Sequence, residues 1–176
     1  MRVRGATPGD WTQVAILTVA AYTDGGFVSV SDRYIDSLAD VETRAEASTL
    51  LVVDECRNPG APGAPDGKPI AAVAVAEAGS AMAEVARPGE VEFRMLAVDP
   101  AHQGRGIARM LVRHILDSAQ RRPDITGVTL CSMNEMTAAH ALYRSEGFVT
   151  DPERDLVLTD EADGVSARFP FFIRHL

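Results

Sequence analysis

Two hydrophobic periods run along this chain, and the changes from one to the other mark out its elements. Arg2 to Ala6 alternates weakly and predicts a short first strand, followed by the turn chemistry of Thr7-Pro8-Gly9-Asp10. Trp11, Val14, Leu17 and Ala21 recur at helical spacing, so residues 11–22 read as a helix with Asp10 as N-cap. Thr23-Asp24-Gly25-Gly26 breaks it. Ser31 or Asp32 can cap a second helix with the apolar stripe Tyr34, Ile35, Leu38, Val41 and Ala45.

Beyond residue 48 the period shortens. Thr49 to Val53 and Ile70 to Val75 read as strands, separated by the Pro- and Gly-dense segment 58–67. That segment reads as a long, mobile hairpin loop inside a single domain spanning 1–176, because the strand flanking it on the N-terminal side has no core of its own. Strand 91–98 comes next, then a glycine-bearing loop and a helix to about Gln120 with Ile107, Met110, Leu111, Ile115 and Ala119 inward. Gly127 to Cys131 is the following strand, so 91–131 is a strand–helix–strand unit with parallel geometry. Thr137 to Glu146 reads as a helix with Ala138, Ala139, Leu142 and Tyr143 inward, ended by Gly147. Phe148-Val149 starts another strand, 151–155 is a turn, and Val165 to Ile173 is a final strand with Pro170 at a bulge or edge.

The 176 residues are 46% hydrophobic and 24% charged, a soluble globular balance with length enough for a real core. No run nears the roughly 18 apolar residues of a membrane span, and the N-terminus has no apolar leader, so a cytoplasmic location and no membrane partner are expected. Two distant cysteines, Cys56 and Cys131, build no disulfide framework, and four histidines without ligand spacing predict no metal. The net charge of −8 argues against nucleic acid as a partner and is compatible with a cationic one.

The chemistry is concentrated in Val98-Asp99-Pro100-Ala101-His102-Gln103-Gly104-Arg105-Gly106-Ile107-Ala108-Arg109. A strand, a glycine loop and a helix N-terminus turn backbone N–H groups toward one small volume, where the helix dipole also favours an anion. Arg105 and Arg109 can add charge-assisted contacts. The loop has no lysine for a P-loop, and Arg109 stands where a dinucleotide fingerprint needs glycine or alanine.

Gln103-x-x-Gly106-x-Ala108, followed by Ala139-x-x-Leu142-Tyr143-x-x-x-Gly147-Phe148, resembles the two signature blocks of the GNAT N-acetyltransferase superfamily. The specific resemblance covers about 91–148. It implies the α/β (layered α+β) GNAT fold: a mixed, mostly antiparallel sheet of six to seven strands, splayed at strands 4 and 5 and flanked by about four helices. It also implies acetyl-CoA as cosubstrate, with Leu96, Ala97 and Val98 along the pantetheine arm and Gln103, Gly104, Arg105, Gly106, Ile107, Ala108 and Arg109 around the pyrophosphate. The reaction implied is acetyl transfer to a primary amine by direct attack in a ternary complex, with a small molecule or a peptide as acceptor and a homodimer possible.

By the same resemblance Tyr143 lies near the CoA sulfur and protonates the leaving thiolate. Glu92 is the candidate acceptor of the amine proton, with an ion pair to Arg94 as its rival role. The chain departs from the family at Met136, where asparagine is common, which makes Asn134 the candidate for the polar contact to pantetheine. His140 is expected to be an exposed helix residue, and Cys131 a buried, inert thiol. A non-catalytic acyl-CoA sensor and a nucleotide-binding oxidoreductase are the alternative functions.

Overall fold

The computed structural model describes residues 1–55, 67–159 and 166–176, Ser166 by its backbone. The proposed hairpin loop at 58–67 lies, apart from Gly67, outside the described residues. The strands are β1 (Arg2–Gly5), β2 (Thr49–Asp54), β3 (Pro69–Glu77), β4 (Glu90–Val98), β5 (Gly127–Cys131), β6 (Val149–Thr150), β7 (Leu156–Thr159), β8 (Ser166–Phe169) and β9 (Phe171–His175). The helices are α1 (Trp11–Asp24), α2 (Tyr34–Ala39), α3 (Val41–Ala47), α4 (Ile107–Gln120) and α5 (Thr137–Ser145). Seven strands form one sheet in the order β1-β2-β3-β4-β5-β9-β6, and β7 pairs with β8 in a separate ribbon. Among the described residues no helix is long and apolar enough to cross a membrane.

The chain resolves into two compact units, Met1–Val75 with Met95–His114, and Ala76–Arg94 with Ile115–Leu176. In the first, β1 and β2 are antiparallel through Val3↔Val53, and β2 and β3 through Leu51↔Val73. Val14, Leu17, Leu38, Val41, Val52, Val53, Val73 and Leu111 are buried there, which is the stripe the helical and strand periods predict.

The single helix expected over Tyr34 to Ala45 is two. Asp40 leaves helical geometry (φ −77°, ψ 79°), and its carboxylate accepts from Thr43 N at 3.1 Å, capping α3. The cap re-aims the chain so that Leu38 before it and Val41 after it are both buried. Five helices therefore stand among the described residues where about four were expected.

Arg4 on β1 joins two acids far apart in sequence. Its guanidinium donates to Asp10 at 2.7 and 2.8 Å and to Asp54 at 2.6 and 3.0 Å. Asp10 also accepts from Thr7 N at 2.7 Å and so closes the turn before α1. The Arg4 hydrogen bonds hold the Asp10 carboxyl at about 2, below its usual 3.8. A carboxyl depressed in the fold stabilises fully above its unfolded value and loses that contribution as pH falls toward the folded one. Between pH 3.8 and about 2 the wild type is expected to lose about 2 kcal/mol that Asp10→Asn no longer has to lose. Urea titrations of both proteins across that range measure it, and parallel pH curves would refute the assignment.

In the second unit β4 and β5 are parallel, while β5 and β9 run antiparallel from Gly127↔His175 to Cys131↔Phe171. The final strand expected over 165–173 is divided at Pro170. Residues before it pair with β7, a strand the hydrophobic pattern did not announce, and residues after it pair with β5 and β6. Proline has no N–H for a ladder, so the chain changes sheets there.

Candidate active site

β4 carries the first unusual feature. Its parallel ladder with β5 pairs Glu90, Val91 and Glu92 with Gly127, Val128 and Thr129, whereas β4 itself runs on to Val98. Past the last pair, Met95 takes a positive φ of 52°, the one non-glycine residue in that region among those described. A methionine in this conformation is strained and is held there only by its surroundings. Burial still alternates through Met95, Leu96 and Ala97, the first and last buried and Leu96 half-buried, and departs from alternation at Val98, which is buried as well. The strand bends where its parallel pairing stops.

The glycine loop follows. Asp99 caps a short turn at Pro100–His102, accepting from Ala101 N at 2.9 Å, and its own N–H donates to Ile70 O at 2.9 Å. Gln103 donates from Nε2 to Val98 O at 3.2 Å, tying the loop to the end of β4. Gly104 and Gly106 have φ of 73° and 76°, and a Cβ on either would meet nothing within 4 Å. Both therefore hold a left-handed turn while leaving open space against the backbone. An α4 bond runs from Met110 N to Gly106 O at 3.0 Å, which makes the glycine loop the N-terminal end of the helix. The Ile107 side chain is core, leaving its backbone as the group for a ligand, while Ala108 and Arg109 are half-buried. These residues fit a diphosphate: a fourteen-residue helix, two open glycines and a neighbouring guanidinium.

In the second unit Tyr143 is 5% exposed inside an aromatic cluster. Its ring lies 5.7 Å from Phe93 and 5.6 Å from Phe172, both edge to face, and 6.0 Å from Phe148 at a tilt. Burial holds its phenol well above the usual range, so it keeps its proton at any working pH. Helix α5 buries His140 and Tyr143, and Ala138, expected inside, is exposed.

His140 is likewise the reverse of the exposed residue expected. It is 7% exposed against Phe172, at 5.0 Å, and its Nε2 is buried without a hydrogen-bond partner. Burial first, and then the Arg144 charge, pull its pKa below 6.5. An unfolded chain then takes up a proton near pH 6.5 that the fold refuses, so stability is full above that value and declines below it. His140→Leu should flatten the decline between pH 6.5 and 5, read from thermal midpoints; an unchanged slope would place its origin elsewhere.

Glu92 is 1% exposed. Its Oε2 accepts from the backbone N–H groups of Glu84, Val85 and Ala86 at 2.9, 2.8 and 3.1 Å, and its Oε1 lies 3.7 Å from Arg94 Nε. Arg94 in turn donates to Met82 O at 2.9 Å and pairs with Glu84 at 2.7 Å. Glu90 pairs with Arg154, which also donates to Val85 O at 2.9 Å. Charges on one side of β4 thus stitch down the irregular segment 82–87.

Asn134 is exposed and donates to Arg168 O at 3.0 Å. Cys131 is half-buried; burial, reinforced by the carboxylates of Glu92, Glu84 and Asp155, pushes its thiol up to about 12, so it is no nucleophile at neutral pH. The resemblance implied a splay at strands 4 and 5, but nothing in the sequence placed the bend at Met95 or gave the 82–87 segment a role. Neither carries a local signal: Met95 is an ordinary methionine, and Met82 to Ala86 is held by hydrogen bonds with Glu92, Arg94 and Arg154.

The acetyltransferase (GNAT) domain family matches residues 65–150. Over those residues, just under half of the chain, this protein is similar to that family. A 61-residue stretch is 48% identical to the N-alpha-acetyltransferase RimI of Mycobacterium tuberculosis, covering 35% of this chain and 36% of that protein. The chain thus spans about a third of the length of that relative. The fold is similar over 99% of the chain to an acetyltransferase of the GNAT family from Staphylococcus aureus Mu50, at TM-score 0.70, 11% identity and 98% of that chain. It is similar at TM-score 0.65 and 20% identity to spermidine N-acetyltransferase from Vibrio cholerae, solved with CoA and spermine, over 99% of this chain and 94% of that one. These likenesses agree with the sheet, its parallel β4–β5 pair and the GNAT fold expected from the signature blocks.

Proposed function

We propose that this protein is a GNAT N-acetyltransferase that moves the acetyl group of acetyl-CoA to a primary amine in a ternary complex. The observation that carries the reading is the loop after β4: two open, left-handed glycines and Arg105 ahead of the α4 N-terminus. Acetyl-CoA would supply an activated thioester. The loop backbone from Gly104 to Arg109, positioned by Gln103 and joined by the Arg105 and Arg109 guanidinium groups, would hold its diphosphate, and the backbone of Leu96, Ala97 and Val98 would bind the pantetheine arm as an added strand. Asn134 is engaged with Arg168 O and would have to release it to contact that arm.

In the transfer an amine nitrogen–carbon bond forms, the carbon–sulfur bond breaks, and two proton movements complete the balance. Tyr143, buried and protonated, would give its proton to the departing thiolate. Glu92 would take the amine proton, directly or through a water. With three donors already on Oε2, the proton goes to Oε1.

For the acceptor, the relatives' names point two ways, to protein N-termini and to polyamines. The net charge of −8 suits either, since both are cationic. The reading is tested by calorimetry of acetyl-CoA and CoA beside NAD and ATP, followed by thiol release with spermine and with short peptides bearing a free N-terminus. Selective micromolar binding of the CoA species with amine-dependent thiol release is the expected result. Binding with no turnover on any amine would favour an acyl-CoA sensor, and failure to bind CoA would refute the proposal.

A further inference from the structure

Arg105, a cationic side chain of the cofactor loop, is already engaged by an acid from a distant part of the chain. Glu55 follows directly on β2, and its Oε1 lies 3.3 Å from Arg105 Nη2. Its Oε2 lies 3.8 Å from His102 Nε2, and the other nitrogen of that ring, Nδ1, lies 3.6 Å from Asp99 Oδ1. One carboxylate therefore straddles the two cationic or protonatable side chains that flank Gln103 and Gly104.

The backbone that presents Glu55 is fixed at close quarters. A Cβ on Gly67 would stand 2.5 Å from the Glu55 carbonyl oxygen, so this strand end tolerates only glycine opposite it. The β2–β3 register closes at Asp54↔Pro69, and the Asp99 turn hangs from Ile70 of β3. The acid and the loop are thus mounted on the same pair of strands. An anion site is an unfavourable place for a carboxylate, and solubility alone gives no reason for one aimed at the loop's arginine.

We propose that Glu55 is a latch on the cofactor loop, competing with the phosphates of CoA for Arg105 and so setting cofactor affinity. The inference rests on the CoA reading above. Both partners are about two-fifths exposed, at 43% and 44% for Glu55 and Arg105, so the pair is weak enough for a polyphosphate to displace. When Arg105 turns to phosphate, His102 is the neighbour toward which the Glu55 carboxylate can swing, away from the incoming negative charge.

Calorimetric titration of the full chain with CoA, at low and at high salt, tests this. Glu55→Gln is expected to tighten CoA binding about fivefold at low salt, with most of the gain lost at high salt. In an Arg105→Ala background the same change should shift affinity little, because the contested partner is gone. Glu55→Asp, too short to reach both neighbours, should resemble Glu55→Gln and guards against an effect of the amide itself. Unchanged or weaker CoA binding by both Glu55 variants, with the wild type binding normally, overturns the latch. Absence of CoA binding by the wild type is a different result, and it removes the cofactor reading together with the latch.

Discussion

Tyr143→Phe is expected to slow amine-dependent thiol release by about 10²- to 10⁴-fold, the usual contribution of one positioned general acid. Acetyl-CoA affinity and thermal stability should hardly move. The separation is possible because the ring and the hydroxyl have different duties. The ring packs against Phe93, Phe148 and Phe172, and phenylalanine keeps those ring contacts. Tyr143→Ala would lose them as well, at about 3–5 kcal/mol, and could not tell chemistry from packing. Burial holds the phenol protonated well beyond neutral pH, so a proton is always available for the leaving sulfur. The measurement is steady-state thiol release beside calorimetric acetyl-CoA binding on the same preparations. Near-normal turnover by the phenylalanine variant would show that the thiolate leaves without help from this hydroxyl.

What could be read ahead of the structure follows from where each feature gets its energy. The helices and strands around Val14, Leu17, Val52, Val73 and Leu111 were legible because burial imposes a period on sequence. So was the glycine loop, since left-handed turns at Gly104 and Gly106 restrict which residues fit. The break at Asp40 was not, because an aspartate within an apolar stripe looks like a solvated helix position until its cap to Thr43 is seen. His140 was misplaced for a related reason. The apolar residues Ala138, Ala139, Leu142 and Tyr143 defined the inward face without it, although it lies one turn before Tyr143, and what covers it is Phe172, from the far end of the chain. The Met95 bend is set by the end of a ladder between strands and leaves no mark on residue type.

Glu92 is where both limits meet, and its replacement should have the largest effect on the fold. The sequence offered Arg94 as its partner, but the three N–H donors that its Oε2 meets come from 84–86, a segment without any pattern. Glu92→Ala removes one oxygen that serves three amides. A buried donor left unsatisfied costs about 1–3 kcal/mol, and water can reach part of this half-exposed segment, so a net loss of about 2–4 kcal/mol is expected. Hydrogen exchange should then accelerate at Glu84, Val85 and Ala86 before the rest of the unit. Glu92→Gln keeps one acceptor oxygen and should lose about half as much. The glutamine variant also isolates the chemical role, since it cannot take up the amine proton. If Oε1 is the proton acceptor, amine-dependent thiol release with spermine or a peptide amine falls about 10²- to 10⁴-fold in Glu92→Gln while the exchange rates at 84–86 change modestly. Near-normal turnover, with the stability loss in place, would leave Glu92 as the residue that positions the 82–87 segment and would pass the amine proton to water.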